Sequence, residues 1–157
     1  ILTEDLVNII NSTKKHFSKK NKATKIFQAL RIIVNSEISE LINGLSKSCN
    51  LISENGIILT VTFHSIEDKI CKFFFNNISN PTKLSRYLPI NSVQDTSFNI
   101  INKKPILPTS EEVETNPPSR SAKLRAVKRK RTNWVETNFI YEKYRHLLEI
   151  EKIASKL

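Results

Sequence analysis

Residues 57 to 63 read Ile-Ile-Leu-Thr-Val-Thr-Phe, seven strand-forming residues in a row behind an Asn55-Gly56 turn pair. The run lacks a clean alternation of apolar and polar side chains, which predicts burial on both faces. A helical pattern precedes it and another follows it. A strand bracketed by helices in this way predicts an α/β fold with a parallel sheet.

The earlier helical pattern runs from 23 to 49. Phe27, Leu30, Val34, Ile38, Leu41 and Leu45 recur every three or four residues and share one face. The later one, 66 to 79, is apolar at Ile66, Ile70, Phe73 and Phe74, and Asn80-Pro81 ends it. Leu6, Ile9, Ile10 and Thr13 place a further helix at 3 to 15. Residues 81 to 97 read as a loop, and 98 to 103 as a short strand. Pro105, Pro108 and the Pro117-Pro118 pair bracket a short acidic helix at 110 to 115. The stretch 121 to 129 alternates well enough for a last strand. A C-terminal helix is expected over 134 to 157, with Ile140, Tyr144, Leu147 and Leu148 on one side.

At 157 residues the chain is long enough for one domain with a core. No apolar run approaches the roughly 18 residues of a membrane span. Glu4 and Asp5 interrupt any leader-like segment, so the expected compartment is the cytoplasm. Cys49 and Cys71 form no Cys-x-x-Cys pair, and the histidines stand apart at 16, 64 and 146, so no metal site is expected. The charge points to a partner. Twenty-five Lys and Arg against 15 Asp and Glu leave +10, an excess that favours a polyanion such as nucleic acid. Seven of the cations fall between Ser119 and Arg131, where no acid interrupts them. Interleaved Leu124, Ala126 and Val127 mark the first half of that stretch as packed. Only Gly44 and Gly56 are glycines. A nucleotide-cradling loop needs several close together so that backbone N–H groups can approach the ligand, and no such loop is present.

The central strand ends in His64-Ser65-Ile66-Glu67-Asp68. In an open parallel sheet, ligands sit beyond the carboxyl ends of the strands, which favours a functional reading. Ser65-x-x-Asp68 also has the spacing of a helix capping box, and Glu67 and Asp68 oppose the positive end of the helix dipole. Both readings stand for Ser65 and Asp68. His64 is not needed for such a cap and is assigned to the lining of a ligand site. A Ser-His-Asp hydrolase is excluded: neighbours on an extended chain point to opposite faces, and there is no Gly-x-Ser-x-Gly elbow.

Three segments, taken in order, resemble one family. The first is Ala23-Thr24-Lys25-Ile26-Phe27-Gln28-Ala29-Leu30-Arg31 with Asn35-Ser36-Glu37. The second is Gly56 through Lys69, continuing to Lys72-Phe73-Phe74. The third is Lys104-Pro105-Ile106, Asn116-Pro117 and Arg120-Ser121-Ala122-Lys123-Leu124-Arg125. Together they resemble the C-terminal half of the bacterial 16S rRNA (cytosine-N4)-methyltransferases, the RsmH or MraW family. Asn21-Lys22 stands where that family usually has His-Pro, Lys25 where it has Arg, and Pro118 where it tends to have Arg.

The resemblance implies the C-terminal half of a Rossmann-like class I methyltransferase sheet, with the end of an inserted helical domain and a C-terminal helix. On it, residues 1–20 close the inserted substrate domain, 21–131 are the methyltransferase half, and 132–157 are an extension. It implies S-adenosylmethionine as cofactor, held by a glycine-rich half with no counterpart here, so no residue of this chain is assigned to cofactor or metal. The implied reaction methylates the exocyclic amine of a cytosine in 16S rRNA of the small ribosomal subunit. His64, Ser65, Glu67 and Asp68 are the implied acceptor-side loop. Arg31, Asn35, Arg120, Lys123, Arg125, Lys128 and Arg129 are expected to meet RNA. Half a sheet would leave an edge and an apolar face open, so the isolated chain, without its N-terminal half, is expected to be inactive and to self-associate. The competing reading is a basic RNA-binding module without chemistry.

Overall fold

The computed structural model describes residues 3–13, 22–80 and 96–156. The loop expected at 81–97 lies almost wholly outside them. In chain order the elements are α1 (Thr3–Thr13), α2 (Lys22–Val34), α3 (Glu37–Leu51), β1 (Ile57–Thr62), α4 (Ser65–Ser79), β2 (Phe98–Ile100), α5 (Ser110–Thr115), a 3-10 turn (Pro117–Ser121), β3 (Lys123–Arg129), α6 (Asn138–Lys143) and α7 (Arg145–Ala154). They fall into two compact units, Ile1–Glu40 with His146–Leu157, and Leu41–Arg145. The expected extension from 132 onward is thus shared between the two.

In the first unit α1 packs on α2, and Ile10, Ala23, Ile32 and Ile38 are buried. The single helix expected over 23–49 is two. Ser36 adopts φ 51°, a left-handed conformation that a helix cannot propagate through. Its carbonyl accepts from Glu40 N at 3.0 Å and so starts α3. Glu37 and Glu40 in that first turn suit the positive helix end. The stripe breaks with the helix. Val34 is exposed, while Ile38, Ile42, Leu45 and Cys49 of α3 are buried. The buried Glu151 of α7 accepts from Ile38 N and Ser39 N, each at 2.9 Å, and from the Ser39 hydroxyl. A carboxylate 113 residues downstream thereby satisfies amides that have no intrahelical partner.

The second unit is a three-stranded sheet, order β1-β3-β2, with α4 against one face. The expected parallel sheet is corrected here. Both β1 and β2 run antiparallel to β3, in registers that pair Leu59 with Ala126 and Asn99 with Lys128. β1 and β2 therefore share a direction, as the ends of a strand–helix–strand crossover should, but β3 enters antiparallel between them. Sequence periodicity carries no information on which strand fills that gap.

One sheet face holds Ile58, Val127, Phe98 and Ile100, and meets Ile70, Cys71, Phe74, Phe75 and Ile78 of α4. The other face corrects the expectation of a strand buried on both sides. Ile57, Leu59, Val61 and Phe63 are 50–61% exposed, and β1 pairs only with β3 among the described residues. The turn before β1 uses both expected residues. Asn55 takes φ 63°. Gly56 is needed for space, because a Cβ there would lie 2.9 Å from the Ser53 carbonyl oxygen and closer still to Ile52. The C-terminal helix also divides, at Tyr144. Phe139 of α6 meets Phe73 edge-on at 5.9 Å and stacks on Phe74 at 5.7 Å, which docks α6 to α4.

Candidate functional site

β1 ends at Thr62 and α4 begins at Ser65, which leaves Phe63 and His64 to turn the corner. His64 is the N-cap, in extended conformation at φ −137° and ψ 164°. Its Nδ1 accepts from Glu67 N at 3.4 Å. Glu67 Oε2 in return accepts from Phe63 N at 3.0 Å and His64 N at 3.3 Å. This is a capping box with a histidine in the place usually held by serine or threonine. The box expected between Ser65 and Asp68 is therefore corrected. It sits one residue earlier and enlists the side chain that a cap was not expected to need. Ser65 is exposed in the first turn.

The cap fixes the chemistry of the ring. With Nδ1 accepting, the proton of neutral His64 is on Nε2. Nε2 lies 3.2 Å from Glu67 Oε1, and the imidazole is largely sheltered from water. Glu67 thus spends one oxygen on two backbone amides and places the other beside the ring.

Asp68 turns away from this corner. Its Oδ1 accepts from Arg125 Nε at 2.8 Å and its Oδ2 from Lys123 Nζ at 3.2 Å. The Asp68, Arg125 and Lys123 side chains are 12%, 9% and 36% exposed. Burial alone would raise the Asp68 carboxyl, but the hydrogen bonds and charges of the two cations outweigh it and hold the group below its ordinary value of 3.8. The triad joins the first turn of α4 to β3.

One further residue expected at an RNA surface is instead buried. Arg129 is 2% exposed. Its guanidinium donates to the carbonyl oxygens of Cys49, Ile52 (3.1 Å), Arg131 (2.6 Å) and Asn133 (2.7 Å), and lies 5.6 Å from the Phe98 ring centroid. It ties β3 to the end of α3, because alternation along the strand turns it to the face of Val127. Lys128, on the opposite face, is exposed, as is Arg120, whose Nη1 donates to Pro117 O at 3.3 Å. Arg31 and Asn35 belong to the first unit. Arg31 forms a two-pronged pair with Glu37, 2.8 and 3.1 Å, and Asn35 donates to the same carboxylate at 3.4 Å.

Sequence reading passed over Asn102. Its Oδ1 accepts from Ala126 N at 2.7 Å, and its Nδ2 donates to Lys104 O and Leu124 O. It also passed over Trp134, which is 76% exposed. The signal for it was available: the only tryptophan of the chain follows the basic stretch by three residues.

Comparison with known proteins agrees with the resemblance. The model of the MraW methylase family matches residues 1–130. A protein of Wolbachia sp. subsp. Brugia malayi named "Ribosomal RNA small subunit methyltransferase H" is 42% identical over 128 residues, 81% of this chain and 36% of that protein. Proteins of the same name from Borreliella afzelii and Allorhizobium ampelinum are 43% identical over 128 residues and 36% identical over 155 residues. The chain spans 38% and 46% of their lengths, less than half in every case. With four fifths of its residues under the family match and its strand-to-helix corner inside it, the chain belongs to the MraW methylase family.

Proposed function

We propose that this chain is the acceptor-side part of an S-adenosylmethionine-dependent enzyme that methylates the exocyclic N4 amine of a cytosine in small-subunit rRNA. The observation that carries the reading is the His64–Glu67 corner at the carboxyl end of β1, within a chain whose relatives bear an rRNA methyltransferase name. The cofactor would supply the methyl group. The described residues do not fit it: Gly44 lies inside α3, and Gly56 is packed against Ile52 rather than open to a ligand.

What this chain contributes is orientation. A target base must leave its stack to be modified, and a ring held by the helix cap through Nδ1 is suited to receive it. The imidazole would line the place that the cytosine takes, with Glu67 holding it in position. Misplacement of a reacting group by about 1 Å costs on the order of 10²-fold in rate. The exposed Arg120 and Lys128 would contact phosphates without reading sequence. The open face and edge of β1 fit an enzyme completed by the further length that the relatives carry.

The test separates the cap from the chemistry. Asparagine is as good an N-cap as serine, so His64→Asn keeps the helix start and removes the imidazole. It is made in a polypeptide extended to the length of the relatives, and methyl transfer to small-subunit rRNA is measured. A loss of roughly a hundredfold with unchanged melting supports the reading. Full activity would leave His64 a cap and nothing more.

A further inference from the structure

We infer that Trp134 is a stacking platform for an unpaired nucleotide, set on a pinned loop just outside the part of the chain that the family match covers. Residues 1–130 carry that match, and Trp134 lies four positions beyond it. The inference rests on the reading that RNA is the substrate, and adds a contact to it.

Tryptophan is large and apolar, and on average highly buried. Here the only one in the chain is 76% exposed. Looseness of the segment does not account for this, because the backbone is held on both sides of the ring. On the N-terminal side, Asn133 O accepts from Arg129 Nη2 at 2.7 Å, and Asn133 Oδ1 accepts from Ser97 Oγ at 2.9 Å. On the C-terminal side, Val135 is buried. It exchanges two hydrogen bonds with Asn50 of α3: Val135 N to Oδ1 at 2.9 Å, and Asn50 Nδ2 to Val135 O at 3.1 Å. Residues 133 and 135 are thus anchored to three separate places in the second unit, and the indole between them points to solvent.

The N-terminal flank identifies the kind of partner, although Glu136 follows the ring by two residues. Lys128, Lys130 and Arg131 precede the ring, with no acid between Ser119 and Trp134. Arg131 is three residues away, so its backbone is within roughly 11 Å of Trp134, and its long side chain extends that reach. An aromatic face beside cations is the combination that holds single strands: the ring takes a base and the cations take the adjoining phosphates. Stacking tolerates any base, so the site selects for an unpaired strand rather than for sequence. A protein partner would favour an apolar surround, and the residues before Trp134 are cationic.

Because Trp134 is the sole tryptophan, its emission reports the site directly. The 157-residue chain is titrated at modest salt with a fluorescein-labelled oligouridine of about ten nucleotides, and with a duplex of equal charge. Anisotropy of the label reads binding, and indole emission with unlabelled strand reads stacking. The expected result is quenching by the single strand and little by the duplex. Trp134→Ala should weaken single-strand binding roughly tenfold, and Trp134→Phe should retain most of it. Arg131→Gln should instead reduce the dependence on salt. Circular dichroism confirms that the variants fold, as substitution of an exposed side chain should allow. Binding of the single strand with unchanged emission, and equal affinity for Trp134→Ala, would overturn the platform and leave the RNA reading intact. No binding by anisotropy would remove both. Emission that shifts with protein concentration and not with RNA would mark Trp134 as a protein contact and overturn the inference.

Discussion

Replacing Asp68 by alanine tests whether this residue holds the fold or serves the site. Its two oxygens are committed to Arg125 and Lys123 at 2.8 and 3.2 Å. Removing it strands the Arg125 guanidinium, whose side chain is 9% exposed, with its charge uncompensated. Loss of one partner from a buried pair costs about 3–5 kcal/mol. The Lys123 pair, one third exposed, adds at most about 1 kcal/mol. The lower end, about 3 kcal/mol, is expected, because a long arginine side chain can shift its guanidinium towards water. At a urea slope of about 2 kcal/mol per molar, the unfolding midpoint should drop by about 1.5 M. Asp68→Asn keeps a neutral acceptor and should cost about half as much. The double variant Asp68→Ala/Arg125→Leu should cost less than the two single changes added together, since each removes the other's stranded charge.

The pH dependence has a definite sign. The folded carboxyl titrates below 3.8 and the unfolded one near it. The stability that Asp68 contributes is therefore complete above about pH 4 and is lost as pH falls through the folded value. The gap between the natural chain and Asp68→Ala should be flat from neutral pH down to 5 and close only in stronger acid. A midpoint change under about 0.3 M, or strict additivity in the double variant, would refute a structural pair and return Asp68 to the candidate acceptor-side loop.

Glu151→Ala should destabilise the chain by about 2–3 kcal/mol, because it leaves Ile38 N and Ser39 N without their acceptor; thermal melting of Glu151→Gln, which keeps one acceptor, should fall between the two. The thiols of Cys49 and Cys71 are each pushed up to about 11 by burial, so a thiol reagent at pH 8 should find about one molecule in a thousand as thiolate; both should react slowly until denaturant is added, and rapid native reaction of either would contradict its burial. Calorimetric titration of S-adenosylmethionine into this chain should give no detectable heat, whereas saturable micromolar binding would show a cofactor site built without a glycine loop. Sedimentation should show self-association through the open β1 face, reduced by Leu59→Lys; a clean monomer at high concentration would count against an uncovered apolar surface.

Local chemistry was legible in the sequence wherever one residue type has one conformational use. The acidic helix between its prolines falls at Ser110–Thr115 as expected, and the turn before β1 is Asn55-Gly56. Features that depend on distant partners were not legible. Asn35-Ser36 is a pair at home in turns and caps, but the apolar stripe runs through it unaltered and masks the break. The break is stabilised by a carboxylate from α7. The basic strand shows the same limit: charge alone marks seven cations as one surface, but the pleat sends Arg125 and Arg129 inward and Lys128 outward. Strand alternation was the available signal, and it outranks composition wherever a strand has a buried face.

His64 shows why a cap and a candidate site need not be rivals. An N-cap must place a side-chain acceptor over the first amides of its helix, and here the same side chain stands at the carboxyl end of β1. Serine would satisfy the amide equally well. Histidine adds a second nitrogen on the far side of the ring, and capping through Nδ1 leaves the proton on that nitrogen. One hydrogen bond to the backbone thereby sets both the orientation and the tautomer of a group beside the strand end. The same logic accounts for Glu67, which contributes one oxygen to the backbone and one to the ring. A corner built this way is held by the chain's own groups, and orientation set in advance is what the proposed contribution to catalysis requires.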